Sequence, residues 1–295
     1  MFTFVHPTLT VCAVLATTSL LSEDELVQFR RNGFVIRPGF LNAQRVDQVS
    51  ADVERFQANE PRFDGRNVWQ YAQLASLITD PDTLAVVDQL MGETNYTLHH
   101  CHAARHMPGL DGVNWHHDYE QIPQVNRSHL QVHVLHYLAG LNGTIGDMLL
   151  MRGSHRAVMR RDALWGCGTE DLPGMVVLND LPPGSVVFAH SALVHARRAQ
   201  PGGEGAVRFF IDIVFMQSGI KWPSYGRDGW RDTLAELERR YADPTHPRLF
   251  DPDAFFEIAD AVARLDGVDG SLAMFLPEPD QTIARREAGD IPVVH

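Results

Sequence analysis

His116 and Asp118 are the residues of this sequence best placed to do chemistry together. Two apart on an extended segment, they point the same way and can take adjacent faces of one metal ion. A single distant histidine, His195, could then complete a set of two imidazoles and one carboxylate. That ligand set suits Fe(II) and leaves coordination positions open for a cosubstrate and O2. His-x-Asp alone is a weak signal, because 15 histidines make such triplets easy to find by chance.

Further along, Gly184-Ser185-Val186-Val187-Phe188 leads into His195, Arg208 opens the apolar run Phe209-Phe210-Ile211, and Gly153-Ser154-His155-Arg156 forms a tight-turn motif. With these motifs in this order, residues 22–216 resemble the phytanoyl-CoA dioxygenase family of Fe(II)/2-oxoglutarate oxygenases. The family's usual turn is Pro-Gly-Ser-His-Arg, and Arg152 stands where its proline is expected. The resemblance implies a double-stranded β-helix, a cupin-like jelly roll, with His116, Asp118 and His195 on the metal. It also implies Fe(II) as cofactor and 2-oxoglutarate and O2 as cosubstrates, used to hydroxylate an aliphatic C–H of a small molecule. His190 is the rival of His195 on the same segment, and the family's interval from the glycine turn favours His195.

Arg208 is the candidate for the far carboxylate of 2-oxoglutarate, since a buried carboxylate wants a permanently charged, bidentate fork. His106 stands where relatives often carry a lysine that contacts the cosubstrate, which leaves that second contact open. Arg197 is a further departure, at a position where a small hydroxyl residue is common, and Ser185 replaces a frequent aspartate. His133 is a weaker candidate for cosubstrate or substrate contact, and His117 is expected to brace its neighbours or face solvent. The same ligands would serve desaturation, epimerisation or ring formation. A jelly roll that binds a ligand or metal without turnover is the reading from another class.

These residues need elements to hold them. Ser22 and Glu25 form a capping box with Leu21 and Leu26 as a staple, so a helix should run to about Asn32 and stop at Gly33. Phe34-Val35-Ile36 reads as a strand, and Asn42 caps a second helix with Val46, Val49, Val53 and Phe56 inward. Residues 59–68 read as a loop, 69–78 as a short helix, and Asp80-Pro81 opens another helix ending at Gly92. From Tyr96 the period shortens towards two, giving strands at 95–102, 129–138, 147–151, 175–178, 185–189, 193–197 and 207–216. Short strands at this spacing suggest two packed antiparallel sheets, so the fold class is mainly β with helical flanks. On the second strand, Gln131, His133, Leu135 and Tyr137 share the face expected to line a polar chamber, and Val132 and Val134 the face expected under a helix. Helices are expected again at 229–241 and from Asp251-Pro252 to about Leu265. Trp222, Tyr225, Trp230 and Phe255-Phe256 in this stretch could cover the barrel mouth.

The simplest organisation is one domain: an extension (1–21), a helical flank (22–92), a jelly-roll core (93–216) and a helical cover (217–295). The extension has an apolar middle but no basic start, so it reads as neither a leader nor a span. A formal charge of −12 argues against nucleic acid or an anionic membrane as partner. Cys12, Cys101 and Cys167 are odd in number and widely spaced, which suggests free thiols and a cytoplasmic location. Basic residues cluster only as pairs (Arg30-Arg31, Arg160-Arg161, Arg197-Arg198), so a free small molecule is favoured as substrate over a polyanionic acyl-CoA.

Overall fold

The structure, a computed structural model, describes residues 20–59, 65–92, 94–121, 127–199, 207–225 and 229–257. Its helical flank forms as its caps dictate. Helix α1 (Glu23–Asn32) starts where the Ser22 hydroxyl accepts the Glu25 N–H at 3.3 Å and the Glu25 carboxylate accepts the Ser22 N–H at 2.8 Å. Gly33 ends it at φ 89, where a Cβ would lie 2.6 Å from His155 Nδ1. After strand β1 (Phe34–Arg37), α2 (Ala43–Asn59) turns Val49, Val53 and Phe56 into the core. The helix expected over 69–78 is instead a 3-10 turn (Gly65–Gln70) followed by the single turn α3 (Ala72–Ala75). Extended Tyr71 separates them, and its ring packs edge-on against Phe56 at 5.4 Å. Buried Asp52 accepts the N–H groups of Gln73 and Leu74 and so fixes the start of α3. Asp80 caps α4 (Pro81–Met91) by accepting the Thr83 N–H at 2.9 Å.

Eight strands follow: β2 (Tyr96–His106), β3 (Val113–His116), β4 (Gln131–Tyr137), β5 (Met148–Met151), β6 (Met175–Leu178), β7 (Ser185–His190), β8 (His195–Arg197) and β9 (Arg208–Gln217). They make two antiparallel sheets, β1-β7-β4-β9-β2 and β3-β8-β5-β6, the two layers of a jelly roll. Seven of the eight match expectation within a few residues, and β3 was not foreseen. The expected 193–197 strand begins only at His195, because Leu193 N–H turns back to the His190 carbonyl at 2.8 Å. Val132 and Val134 share a core cluster with Val49, Val53 and Phe56, so α2 covers the outer face of the larger sheet. Leu135 and Tyr137 pack with Leu150, Val176 and Val187 between the sheets. The inner face of β4 thus carries Gln131 and His133 towards the interior, alongside Leu135 and Tyr137.

Beyond β9 come β10 (Trp222–Pro223), α5 (Trp230–Tyr241) and β11 (Phe255–Phe256). The helix expected from Asp251 is not formed at its start. Asp251 accepts the Asp253 N–H, Pro252–Ala254 makes a 3-10 turn, and Phe255-Phe256 then pairs in parallel with β10. The rest of that expected helix, like residues 1–19 of the extension, lies outside the described residues. Trp222, Trp230 and Phe255 belong to the same core cluster as the α2 residues rather than to a loose cover. Among the described residues no helix is long and apolar enough to cross a membrane, and Cys101 and Cys167 are free thiols.

Candidate metal centre

Strands β3 and β8 pair antiparallel and set His116 directly opposite His195, with ring centroids 4.3 Å apart. Asp118 follows on the same side, where its backbone N–H donates to the Ser191 carbonyl at 2.8 Å. Its Oδ1 lies 3.6 Å from His116 Nε2 and its Oδ2 3.4 Å from His195 Nε2. One atom from each residue falls within 4.8 Å of the others, a spacing that can hold one metal ion. Both histidines are held in the tautomer a ligand needs. His116 donates Nδ1–H to the Asn114 carbonyl at 2.6 Å, and His195 donates to that of Leu193 at 3.0 Å. Each Nε2 lone pair is thereby turned to the shared centre. Buried His116 Nε2 has no hydrogen-bond partner among the described residues, and a cation between the three side chains would satisfy it.

Arg161 braces the carboxylate, donating from Nη2 to Asp118 Oδ1 at 2.6 Å while itself almost fully buried. Burial alone would raise the Asp118 pKa, but His116, His195 and Arg161 together hold it well below the usual carboxylate range. Burial, with His195 alongside, likewise keeps His116 neutral by lowering its pKa. His117 points away, as expected, yet it is buried rather than solvent-facing. Its Nε2 donates to the Met159 carbonyl at 3.1 Å and its Nδ1 accepts the Tyr119 N–H at 3.2 Å. His190 is not brought to the centre. It sits at the end of β7 against His155, ring centroids 5.1 Å apart, and its pKa is lowered to about 3 by burial above all.

A second polar group lies where the end of β2 pairs with the start of β9. Arg208 and His106 are directly paired across β2 and β9. The Arg208 guanidinium is buried over the Tyr137 and Phe210 rings, 5.2 and 4.8 Å from their centroids, and donates to the Tyr137 hydroxyl at 3.4 Å. Its Nε and Nη1 have no hydrogen-bond partner among the described residues, and neither does His106 Nδ1. Burial first, then Arg208 and Arg197, lower the His106 pKa to about 3, so this imidazole is neutral. Burial and the charge of Arg208 lower the Arg197 pKa to about 10. Ser185 is structural, donating to the Pro182 carbonyl and accepting the Gly39 N–H.

His133 lies on the same inward face of β4 as Tyr137. It pairs with Asp212 of β9 at 2.8 Å through Nδ1, while its buried Nε2 has no partner among the described residues. Burial works against its protonation, but Asp212 and the charges of Asp118 and Glu120 raise its pKa overall. His100 of β2 stacks on Tyr225 at 4.1 Å, so the segment after β9 packs against the inner side of β2. Sequence reasoning missed Arg161 and Asp212. Arg161 was visible only as half of a basic pair, and Asp212 as one polar residue in an apolar strand.

This fold has relatives of known structure. HygX from Streptomyces hygroscopicus, solved with nickel and 2-oxoglutarate bound, is 18% identical, with 70% of this chain and 90% of that chain covered and a TM-score of 0.57. The non-heme α-ketoglutarate-dependent carbocyclase SnoK from nogalamycin biosynthesis is 20% identical over 74% of this chain and 90% of its own, with a TM-score of 0.57. The epimerase SnoN, solved with Fe3+, α-ketoglutarate and nogalamycin RO, is 21% identical over 66% and 82%, with a TM-score of 0.54. No curated protein matches the sequence. The model of the phytanoyl-CoA dioxygenase (PhyH) family matches residues 29–200, more than half of the chain. The chain therefore belongs to the phytanoyl-CoA dioxygenase (PhyH) family, a family of 2-oxoglutarate-dependent oxygenases, and its His116, Asp118 and His195 lie close enough to hold one metal ion.

Proposed function

We propose that this protein hydroxylates an aliphatic C–H bond of a free small molecule, holding iron through His116, Asp118 and His195 and the far carboxylate of 2-oxoglutarate through Arg208. The observation that carries this reading is that, among the described residues, two buried groups of opposite need are left unsatisfied on the inner sides of the two sheets. His116 Nε2 calls for a cation, and Arg208 Nε and Nη1 call for an anion. A buried guanidinium with two unused donors is costly unless a carboxylate completes it. Bound iron, with 2-oxoglutarate and O2, supplies an oxidant able to take hydrogen from a C–H bond. The chain's own part is to keep both imidazoles correctly turned, to fix Asp118 through Arg161, and to exclude water from the centre. His133 with Asp212, and His100 with Tyr225, offer a polar and aromatic wall for the substrate. Such a wall suits an oxygen- or nitrogen-bearing scaffold better than a long alkyl chain. HygX is also solved with hygromycin B, and SnoN with nogalamycin RO, which supports a substrate of that general kind.

The test incubates the protein with Fe(II), 2-oxoglutarate, ascorbate and a panel of polar small molecules. Succinate and a product heavier by one oxygen atom are expected. Loss of two hydrogens would instead indicate desaturation or ring closure, and an isomer of unchanged mass epimerisation. Iron-loaded protein that never converts 2-oxoglutarate to succinate would leave only a non-catalytic binding role.

A further inference from the structure

Arg197 is half-buried, and part of its guanidinium is buried in a way that its visible bonds do not explain. Its Nη2 donates to the Asp111 carbonyl at 2.6 Å, as a rim arginine would. Its Nη1 is buried with no hydrogen-bond partner among the described residues. On β8 it stands two residues beyond His195, so both side chains leave the same face of the strand. Two residues advance a strand by about 7 Å. That separation is comparable to the reach of a five-carbon diacid from a chelated keto-acid end to its far carboxylate. Across the strand, Arg197 is in register with Met148, whose sulfur accepts the Tyr137 hydroxyl at 2.9 Å, and the same hydroxyl accepts from Arg208. The two arginines thus come from opposite sheets to either side of the Tyr137–Met148 contact, and both charges act on Tyr137 and His106.

We propose that Arg197 and Arg208 form a two-guanidinium clamp, Arg197 serving as a second cation on the far carboxylate of the cosubstrate. This rests on the reading of Arg208 given above and goes beyond it. Two guanidiniums in a pocket of low dielectric repel one another, and each unused N–H costs free energy. A carboxylate between them offers one oxygen to each fork and removes both penalties. A rim role for Arg197 accounts for Nη2 but leaves Nη1 buried and idle. The clamp also gives the site a reason to discriminate between keto acids, because one that lacks the far carboxylate leaves both cations unanswered.

The test is anaerobic calorimetry on the full Fe(II)-loaded chain, with 2-oxoglutarate and with 2-oxobutyrate, which has no far carboxylate. Wild type should prefer 2-oxoglutarate strongly. Arg197→Met should weaken 2-oxoglutarate binding by about tenfold or more and leave 2-oxobutyrate within about twofold, with iron content unchanged. Arg197→Lys should recover part of the loss, and serves in its place if the methionine variant does not fold. Unchanged 2-oxoglutarate binding in Arg197→Met, together with a loss in Arg208→Met, would overturn the clamp and spare the role of Arg208. Equal weakening of both keto acids would also overturn it, since Arg197 would then be acting through His195 or the fold. Wild type that does not distinguish the two ligands would overturn the cosubstrate reading itself.

Discussion

Asp118 is held from three directions, by His116 and His195 on the metal side and by Arg161 behind. The Arg161 contact occupies Oδ1 and leaves Oδ2 turned to the shared centre, so it acts on carboxylate orientation rather than on charge alone. Arg161→Met should therefore lower iron affinity by about 10–100-fold, the usual effect of losing a partner behind a ligand. Iron titration of the metal-free protein measures it, and an unchanged affinity would make Arg161 a packing residue only. His195→Ala should abolish both iron binding and succinate formation, whereas His190→Ala should leave both largely intact. Iron content after desalting decides between them, and the opposite pattern would transfer the ligand role to His190. His116 and Asp118 were legible as a candidate pair because His-x-Asp spacing is local and extended chain repeats every two residues, whereas His195 came from the family resemblance; the structure brings the three within 4.8 Å of one another. Arg161 and Asp212 were not, because each meets its partner only through tertiary contact, Arg161 across 43 residues and Asp212 across 79.

Elements whose signals are local behaved as the sequence implied. The capping box of α1 is one, and Glu25 also pairs with Arg37 at 3.0 Å, tying the helix start to β1. Ser22→Ala should cost about 1 kcal/mol of stability. Urea unfolding should show a lower midpoint at unchanged slope, with iron binding intact. Elements that depend on distant partners were misread. Val113-Asn114-Trp115-His116 carries too little alternation to read as a strand, and it becomes one because β8 lies alongside. Phe255-Phe256 looks like part of a capped helix until β10 claims it, a tertiary pairing overriding local preference.

A long-range contact ties the segment after α5 to α4. His246 faces Asp88 of α4 at 3.2 Å and Asp243 at 3.1 Å. Burial works against its charge, but the two carboxylates raise its pKa above the ordinary 6.5. A raised folded pKa gives stability that is complete below the unfolded value and lost as pH rises through the folded one. The melting temperature of wild type should therefore exceed that of His246→Gln by more on the acid side of neutrality than on the alkaline side. A gap independent of pH would show that the imidazole acts by packing alone.

Taken as a whole molecule, the chain needs more than the stretch its family model covers. That match ends at residue 200, yet β9 lies beyond it, between β4 and β2 in the larger sheet, and carries Arg208 and Asp212. The dependence continues past the barrel. Leu98 of β2 donates its N–H to the Leu249 carbonyl at 2.7 Å, and Trp222 anchors its indole N–H on the Gln217 carbonyl at 2.9 Å. Trp222, Trp230 and Phe255 are each no more than 1% exposed and share one core with Phe56 and Val53 of α2. Truncating one large buried aromatic to alanine costs about 3–5 kcal/mol, whereas a whole domain is stable by only about 5–15 kcal/mol. Removing three at once should exceed that margin. A chain ending at Gln217 keeps every strand of the jelly roll and every candidate ligand, yet it should fail to give folded protein that binds iron. The comparison is soluble yield, far-UV dichroism and iron content for the full chain and the truncated one. A truncated chain that folds and holds iron would show that residues 218–257 are a detachable cover.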